Sequence, residues 1–347
     1  MCGGALGEAG AAAPRPAEGA AVDPIAPAPV DEVVITTLVD NTFDGLLTGS
    51  ERVRRTTLAG GGVATAPQFE GGRTIVGLHA EHGFSALVTV RRGAATTSLL
   101  FDTGISPEGM TDNADRLGID LGGVQGVVLS HGHFDHAGGL AGLARRRALP
   151  MTVHPLVWTR RRLAVPGAEP TELPTVSRRA LEEEGFAVIE RRQPSLLVDG
   201  CVLITGEIDR TTDFEHGMPA SHQAWDDGEW RHDPTVLDDQ ALVVHVRGRG
   251  LVVLTGCGHG GAINTVRHAM RLTGVDRLHA LIGGLHLAGP TFEPVIAPTV
   301  QALADLAPDL LGPGHCTGWR AQHALAAALP DAWVASSSGT SYTLAAA

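Results

Sequence analysis

Ser130-His131-Gly132-His133-Phe134-Asp135-His136 is the stretch that most narrows what this chain can fold into. Three imidazoles and one carboxylate fall within six residues, directly after the apolar run Gly-Val-Val-Leu at 126–129. A strand that ends in such a cluster cannot bury it unpaired, because polar groups without partners cost several kcal/mol. Neutral imidazole and carboxylate both ligate zinc, manganese and iron, so the stretch predicts a metal shell at a strand end. Gly132 permits the tight backbone path that such closely spaced ligands need.

Composition removes several alternatives. All 26 basic residues are arginine, so Schiff-base chemistry, a lysine nucleophile and a Gly-Lys-Ser/Thr phosphate loop are excluded. The missing lysine, alongside abundant Ala, Gly, Arg and Pro, reads as a GC-rich coding bias, which does not explain why histidines cluster. A net charge of -12 argues against a general nucleic-acid or membrane-surface binder and leaves a small molecule as the expected partner. Oligomeric state is not legible. The four cysteines Cys2, Cys201, Cys257 and Cys316 are too sparse for a disulfide framework in 347 residues and fit a reducing compartment. With no signal-peptide pattern and no apolar run of membrane-spanning length, a cytoplasmic location is expected.

Residues 1–31 are Ala-, Gly- and Pro-rich and are expected to form a disordered tail, leaving 32–347 as one catalytic domain. Strands are expected at 33–42, at 84–92, at 96–104 and at 123–131. Asp239–Cys257 carries the clearest hairpin pattern, two Val/Leu runs around Arg-Gly-Arg-Gly. Helices are expected over 107–120, 264–274 and 294–307, with further strands at 278–287 and 310–315. Early hairpins followed by strand–helix alternation point to a mixed sheet system covered by helices. Two stretches break this rhythm and are expected as loop insertions: the Arg-rich 155–195 and the polar 209–238.

His131-Gly-His133-Phe-Asp135-His136 matches the His-x-His-x-Asp-His motif, and the chain resembles the metallo-β-lactamase-fold hydrolases. Glu81-His82-Gly-Phe-Ser, Phe101-Asp-Thr-Gly, Thr205-Gly-Glu-Ile-Asp, Leu254-Thr-Gly-Cys-Gly-His-Gly-Gly, Ile282-Gly-Gly-Leu-His-Leu and Gly314-His-Cys-Thr-Gly extend the resemblance over roughly 33–343. Together they are similar to a subgroup related to the archaeal dihydropterin ribofuranosylaminobenzene phosphate synthase. The resemblance implies a four-layer αββα sandwich of two mixed sheets flanked by helices. It also implies one or two divalent ions, zinc first, with manganese or iron as alternatives. His131, His133 and His259 are implied for the first site, and Asp135, His136 and His315 for the second.

The chain departs from the family where many members carry Thr-Gly-Asp, because Thr255-Gly256-Cys257 stands there. A Cys257 thiolate would bias the site toward thiophilic ions; a protonated Cys257 standing apart would weaken the second site. Asp102 is the expected carboxylate behind a ligand histidine, and His286, Glu81 and His82 are expected around the pocket. His245 and His268 are expected to be structural. The implied chemistry is hydrolysis of an ester, amide or phosphoester of a small anionic molecule by metal-bound hydroxide, with Asp135 handling protons. The subgroup implies an alternative, C–N bond formation of the dihydropterin type, and an iron-dependent redox enzyme is a further one. In either of the first two cases the Arg-rich 155–195 segment could contact phosphate.

Overall fold

The computed structural model describes residues 24–58 and 62–347. Two mixed sheets face each other. The first has eight strands in the spatial order Ala187–Glu190, Pro150–Val153, Val124–Val128, Ala95–Phe101, Ser85–Arg92, Glu32–Val39, Ser341–Ala345 and Val53–Arg54. The second has six: Ser195–Leu197, Val202–Ile204, Leu242–Val246, Gly250–Thr255, Leu278–Gly284 and Leu310–Gly314. Each sheet begins as an antiparallel meander and then continues with parallel strands. Helices supply the crossovers that parallel neighbours require.

The hairpin at 242–255 shows why both faces are covered. Leu242, Val244, Val252 and Leu254 point into the core between the sheets, where they meet Ile35, Val88 and Phe101. The alternate residues Val243, Leu251 and Val253 pack outward against helices Ala262–Thr273, Ile296–Leu306 and Trp319–Ala328. A strand buried on both faces reads as an unbroken apolar run, which is what these two segments are. The first sheet is covered in the same way by Gly109–Arg116 and Leu140–Arg146, through Met110, Leu140 and Leu143. The result is the expected four-layer order of helices, sheet, sheet, helices. Among the described residues no helix is long and apolar enough to cross a membrane.

Two expectations need correction. Most of the proposed tail lies outside the described residues, but 24–31 is docked rather than free. Val30 is fully buried and bridges Val246, and the Ile25 amide donates to the Leu272 carbonyl. An Ala/Pro-rich composition hid the two apolar side chains that anchor this stretch. The insertions are also not two separate loops. Each contributes two strands to one four-stranded antiparallel sheet, in the order Thr171–Glu172, Arg161–Leu163, His222–Asp226, Glu229–His232. The pairing joins residues about sixty positions apart, which no local pattern announces.

Candidate metal centre

The parallel strands of both sheets run toward one edge, and the loops leaving them carry the ionisable groups. His131 and His133 follow strand Val124–Val128, Cys257 and His259 follow Gly250–Thr255, and His315 follows Leu310–Gly314. Two close approaches fix the loops. A Cβ on Gly132 would lie 2.2 Å from the Val157 carbonyl oxygen, and one on Gly256 would lie 2.1 Å from Ser130 Oγ. Gly132 is thus required by a neighbour pressing on it rather than by an unusual turn. Asp102, His286 and His315 sit at positive φ (59°, 46° and 46°), a costly conformation for non-glycine residues that tends to persist at functional sites.

The first donor set is a triangle of imidazole nitrogens. His131 Nε2 lies 2.9 Å from His133 Nδ1, His133 Nδ1 lies 3.1 Å from His259 Nε2, and His259 Nε2 lies 3.2 Å from His131 Nε2. Neighbouring groups fix two of the three tautomers. Ser130 Oγ donates its one proton to the Asp102 carboxylate at 2.7 Å, so at 2.9 Å it can only accept from His131 Nδ1–H. His222 Nδ1–H donates to the Asp233 carbonyl at 3.1 Å, so its Nε2 accepts from His133 Nε2–H, also at 3.1 Å. His131 Nε2 and His133 Nδ1 therefore turn lone pairs toward each other. Burial pushes His131, His133 and His259 well below the ordinary imidazole value, so a proton is not what reconciles them. A divalent ion would. Ligands about 2.0–2.1 Å from a tetrahedral zinc ion stand about 3.3 Å apart, a few tenths wider than this triangle.

The second set gathers Asp135, His136, Cys257 and His315, whose donor atoms all lie within 4.8 Å of one another. His136 Nδ1–H donates to Asp102 Oδ2 at 2.7 Å, leaving Nε2 to face Cys257 Sγ at 3.2 Å. His315 Nδ1–H donates to Asn41 Oδ1 at 2.9 Å, leaving Nε2 3.3 Å from Cys257 Sγ and 3.4 Å from Asp135 Oδ2. Burial works to raise the Asp135 carboxyl, but His136 and His315 outweigh it and hold it well below the usual carboxylate range. Burial pushes the Cys257 thiol up. Cys257 also falls within 4.8 Å of His131 and His259, so it stands between the two sets.

The remaining expected residues surround these donors. Asp102 is fully buried and accepts from the Ser130 amide, the Ser130 hydroxyl and His136. Glu81 does not approach the donors; its Oε1 accepts the Ile105 and Ser106 amides and holds the turn after Asp102. His82 is the exposed member, with Nε2 3.7 Å from Asp135 Oδ2 and Nδ1 bonded to the Asn41 side-chain amide. The His286 ring lies 4.2 Å from that of His259 and groups with Cys257 and Cys316. Nδ1 of His259 and of His286 is buried with no hydrogen-bond partner among the described residues. His268 is bonded to the Thr205 carbonyl, apart from the centre, and His245 belongs to a central strand.

Sequence reasoning missed Ser130, Asn41 and His222. Asn41 ends the first strand in Val39-Asp40-Asn41, a polar stop that was a readable signal; Asp40 Oδ1 accepts the His315 amide. His222 had none, since it arrives through the inserted sheet. Asp238 and Asp239 divide their work: Asp238 accepts the Gly132 amide at 2.8 Å and pairs with Arg161, while Asp239 accepts the Gly260 amide at 2.7 Å. Arg161 is thereby buried in an ion pair, Arg160 pairs with Glu172, and Arg162 bonds Gln223. Arg178 and Arg179 pair with Glu182 and Glu183. The arginines expected to contact phosphate are thus engaged by acids or by Gln223, and of these Arg160, Arg161 and Arg162 fasten the inserted sheet.

A family model described as the metallo-beta-lactamase superfamily matches residues 82–266, a span holding both His-x-His-x-Asp-His and Thr-Gly-Cys-Gly-His. The chain belongs to the metallo-β-lactamase superfamily. Within that superfamily it is 29% identical over 252 residues to the 7,8-dihydropterin-6-methyl-4-(beta-D-ribofuranosyl)-aminobenzene-5'-phosphate synthase of Methanocaldococcus jannaschii, covering 70% of this chain and 83% of that protein. An uncharacterized protein of the same organism is 27% identical over 247 residues, covering 70% and 86%. The crystal structure of Tm1679, a metal-dependent hydrolase of the beta-lactamase superfamily, superposes with a TM-score of 0.67 at 24% identity, covering 90% of this chain and 99% of that one. That likeness establishes the sandwich fold.

Proposed function

We propose that the protein is a metal-dependent hydrolase that acts on an ester, amide or phosphoester of a small anionic molecule. The observation that carries this is the pair of buried imidazole lone pairs turned toward each other at 2.9 Å, an arrangement that calls for a cation. His131, His133 and His259 would hold one ion; Asp135, His136 and His315 would hold a second, with Cys257 between them. Divalent ions in such a shell acidify water and polarise a carbonyl or phosphoryl oxygen, and zinc suits a donor set of nitrogen, carboxylate and sulfur. Asp102, Ser130, Asn41 and His222 keep the lone pairs aimed by taking the opposite ring proton, as outer partners of metal-bound histidines do. Asp135, ionised and close to both His315 and the exposed His82, is placed to accept a proton from water and pass it toward solvent.

One observation favours a second reading on the same site. The 29% identical relative is a synthase whose named product joins a dihydropterin to a ribofuranosyl-aminobenzene 5'-phosphate, which supports C–N bond formation here. Product analysis in 18O-labelled water separates the two. Hydrolysis places label from water in a product of each turnover; transfer to an arylamine does not and requires the amine. Metal content of protein purified without added metal is the accompanying measurement. Two zinc or manganese ions agree with the hydrolase, a single iron turns attention to redox chemistry, and full activity in stripped protein rejects a metal mechanism.

A further inference from the structure

Beside His259 lies a cavity of about 120 Å³, formed between the 214–217 loop that precedes the inserted sheet's strand His222–Asp226 and the 285–295 segment. Phe214, Leu285, Leu287, Phe292 and Val295 make its walls. The one carboxylate on its surface is already engaged. Glu215 accepts the Ile263 and Asn264 amides at 2.8 Å each and the Thr212 hydroxyl at 3.1 Å, capping helix Ala262–Thr273. At the inner end the rings of His259, His286 and Phe292 form a ladder, with centroids 4.2 Å and 4.5 Å apart and the last pair nearly perpendicular (86°). The cavity thus shares His259 with the first donor set while offering an apolar, aromatic-walled space rather than a charged one.

We propose that this cavity receives one aromatic ring of the substrate, so that the substrate class is an aryl compound whose reacting anionic group reaches the donor triangle. This rests on the proposed metal-dependent function. Size limits the occupant, because an apolar cavity of about 150 Å³ binds benzene, and this one therefore takes a single six-membered ring and not a fused pair. Ring geometry favours an aromatic occupant: the Phe292 and His286 rings already meet edge to face, and a third ring continues that arrangement. The ring would also replace water on the inner apolar wall, which gives the preference its driving force.

Binding of phenylphosphonate, methylphosphonate and 1-naphthylphosphonate to the metal-loaded protein tests this. Phenylphosphonate should bind tighter than methylphosphonate by about tenfold or more, given the apolar area a buried ring removes from water, and naphthylphosphonate should lose that advantage. Phe292→Ala, which opens the pocket, and Val295→Trp, which fills it, should each erase the phenyl preference while leaving methylphosphonate binding unchanged. A phenyl-to-methyl ratio near unity, or one that survives both variants, overturns the proposal. Bromobenzene soaked into crystals of metal-free protein separates failure of the cavity from failure of the metal centre. Bromine density between Leu285 and Phe292 supports the ring site even if no phosphonate binds; no density there overturns it.

Discussion

The two donor sets differ in how they are built. The first consists of three neutral imidazoles, two of them from a single loop, with ring protons drawn off by Ser130 and by His222. The second joins an ionised carboxylate, two imidazoles and a thiol from segments as far apart as residues 135 and 315, braced by Asp102 and Asn41. The local motif supplies two donors to each set, so one residue from the second sheet, His259, completes the first, whereas the second needs two, Cys257 and His315, from two different strand ends. Asp102 ties the two, since it holds Ser130 behind His131 and also His136 directly.

Variants can break this comparison in order of expected effect. His131→Ala removes a corner of the buried triangle and is expected to abolish metal loading and turnover, read by metal analysis and kcat. Cys257→Ala should be milder, lowering metal content toward about one ion per chain, and Cys257→Asp should restore the second ion while shifting preference from zinc toward manganese. If Cys257→Ala keeps full metal content, the thiol is not part of the second set. Asp102→Asn keeps one accepting oxygen where three donors use two, so either the Ser130 amide or the Ser130 hydroxyl and His136 lose their acceptor, and it should cost about 10–100-fold in metal affinity. His222→Phe acts on the first set alone and is expected near the lower end of that range. Equal losses at both ions in His222→Phe would show that the sets are not separable.

The smallest effect concerns Asp239, which burial pushes up to about 6 although the Gly260 amide works against that rise. The folded protein holds this proton to higher pH than the unfolded chain does, so ionising Asp239 removes stability as pH rises from about 4 through 6. Metal-free Asp239→Asn should therefore gain stability over the parent above pH 6, on the order of 1–3 kcal/mol, with the gap closing as pH falls toward 4. Thermal melts across this range read it. A gap that widens on acidification would reverse the sign of the argument.

Much of this was legible in the chain. His131, His133, Asp135 and His136 lie in one readable cluster, and period-two burial in 242–255 produced the two-faced strands that the apolar runs imply. Cys257, His259 and His315 were reachable only through their family resemblance, because neither Cys257-Gly-His259 nor His315-Cys316 gathers enough donors to announce a metal shell by itself. Asn41 and Ser130 look like ordinary strand-end polar residues until their partners are known. Arg160–Arg162 looked like free cations, yet acids from positions 172, 233 and 238 meet two of them and Gln223 meets the third.

The sequence alone determined the alternation of apolar strands and helices, the histidine cluster at a strand end, and the absence of lysine chemistry. Local periodicity and ligand type carry that information without reference to distant residues. Only the tertiary structure decided which nitrogen of each histidine faces inward, that Cys257 stands between the two sets, and that two irregular stretches close into one sheet carrying His222. Those outcomes depend on where distant backbone and side-chain partners come to rest, because a tautomer is fixed by the group at the other side of the ring and strand pairing by a partner some sixty residues away.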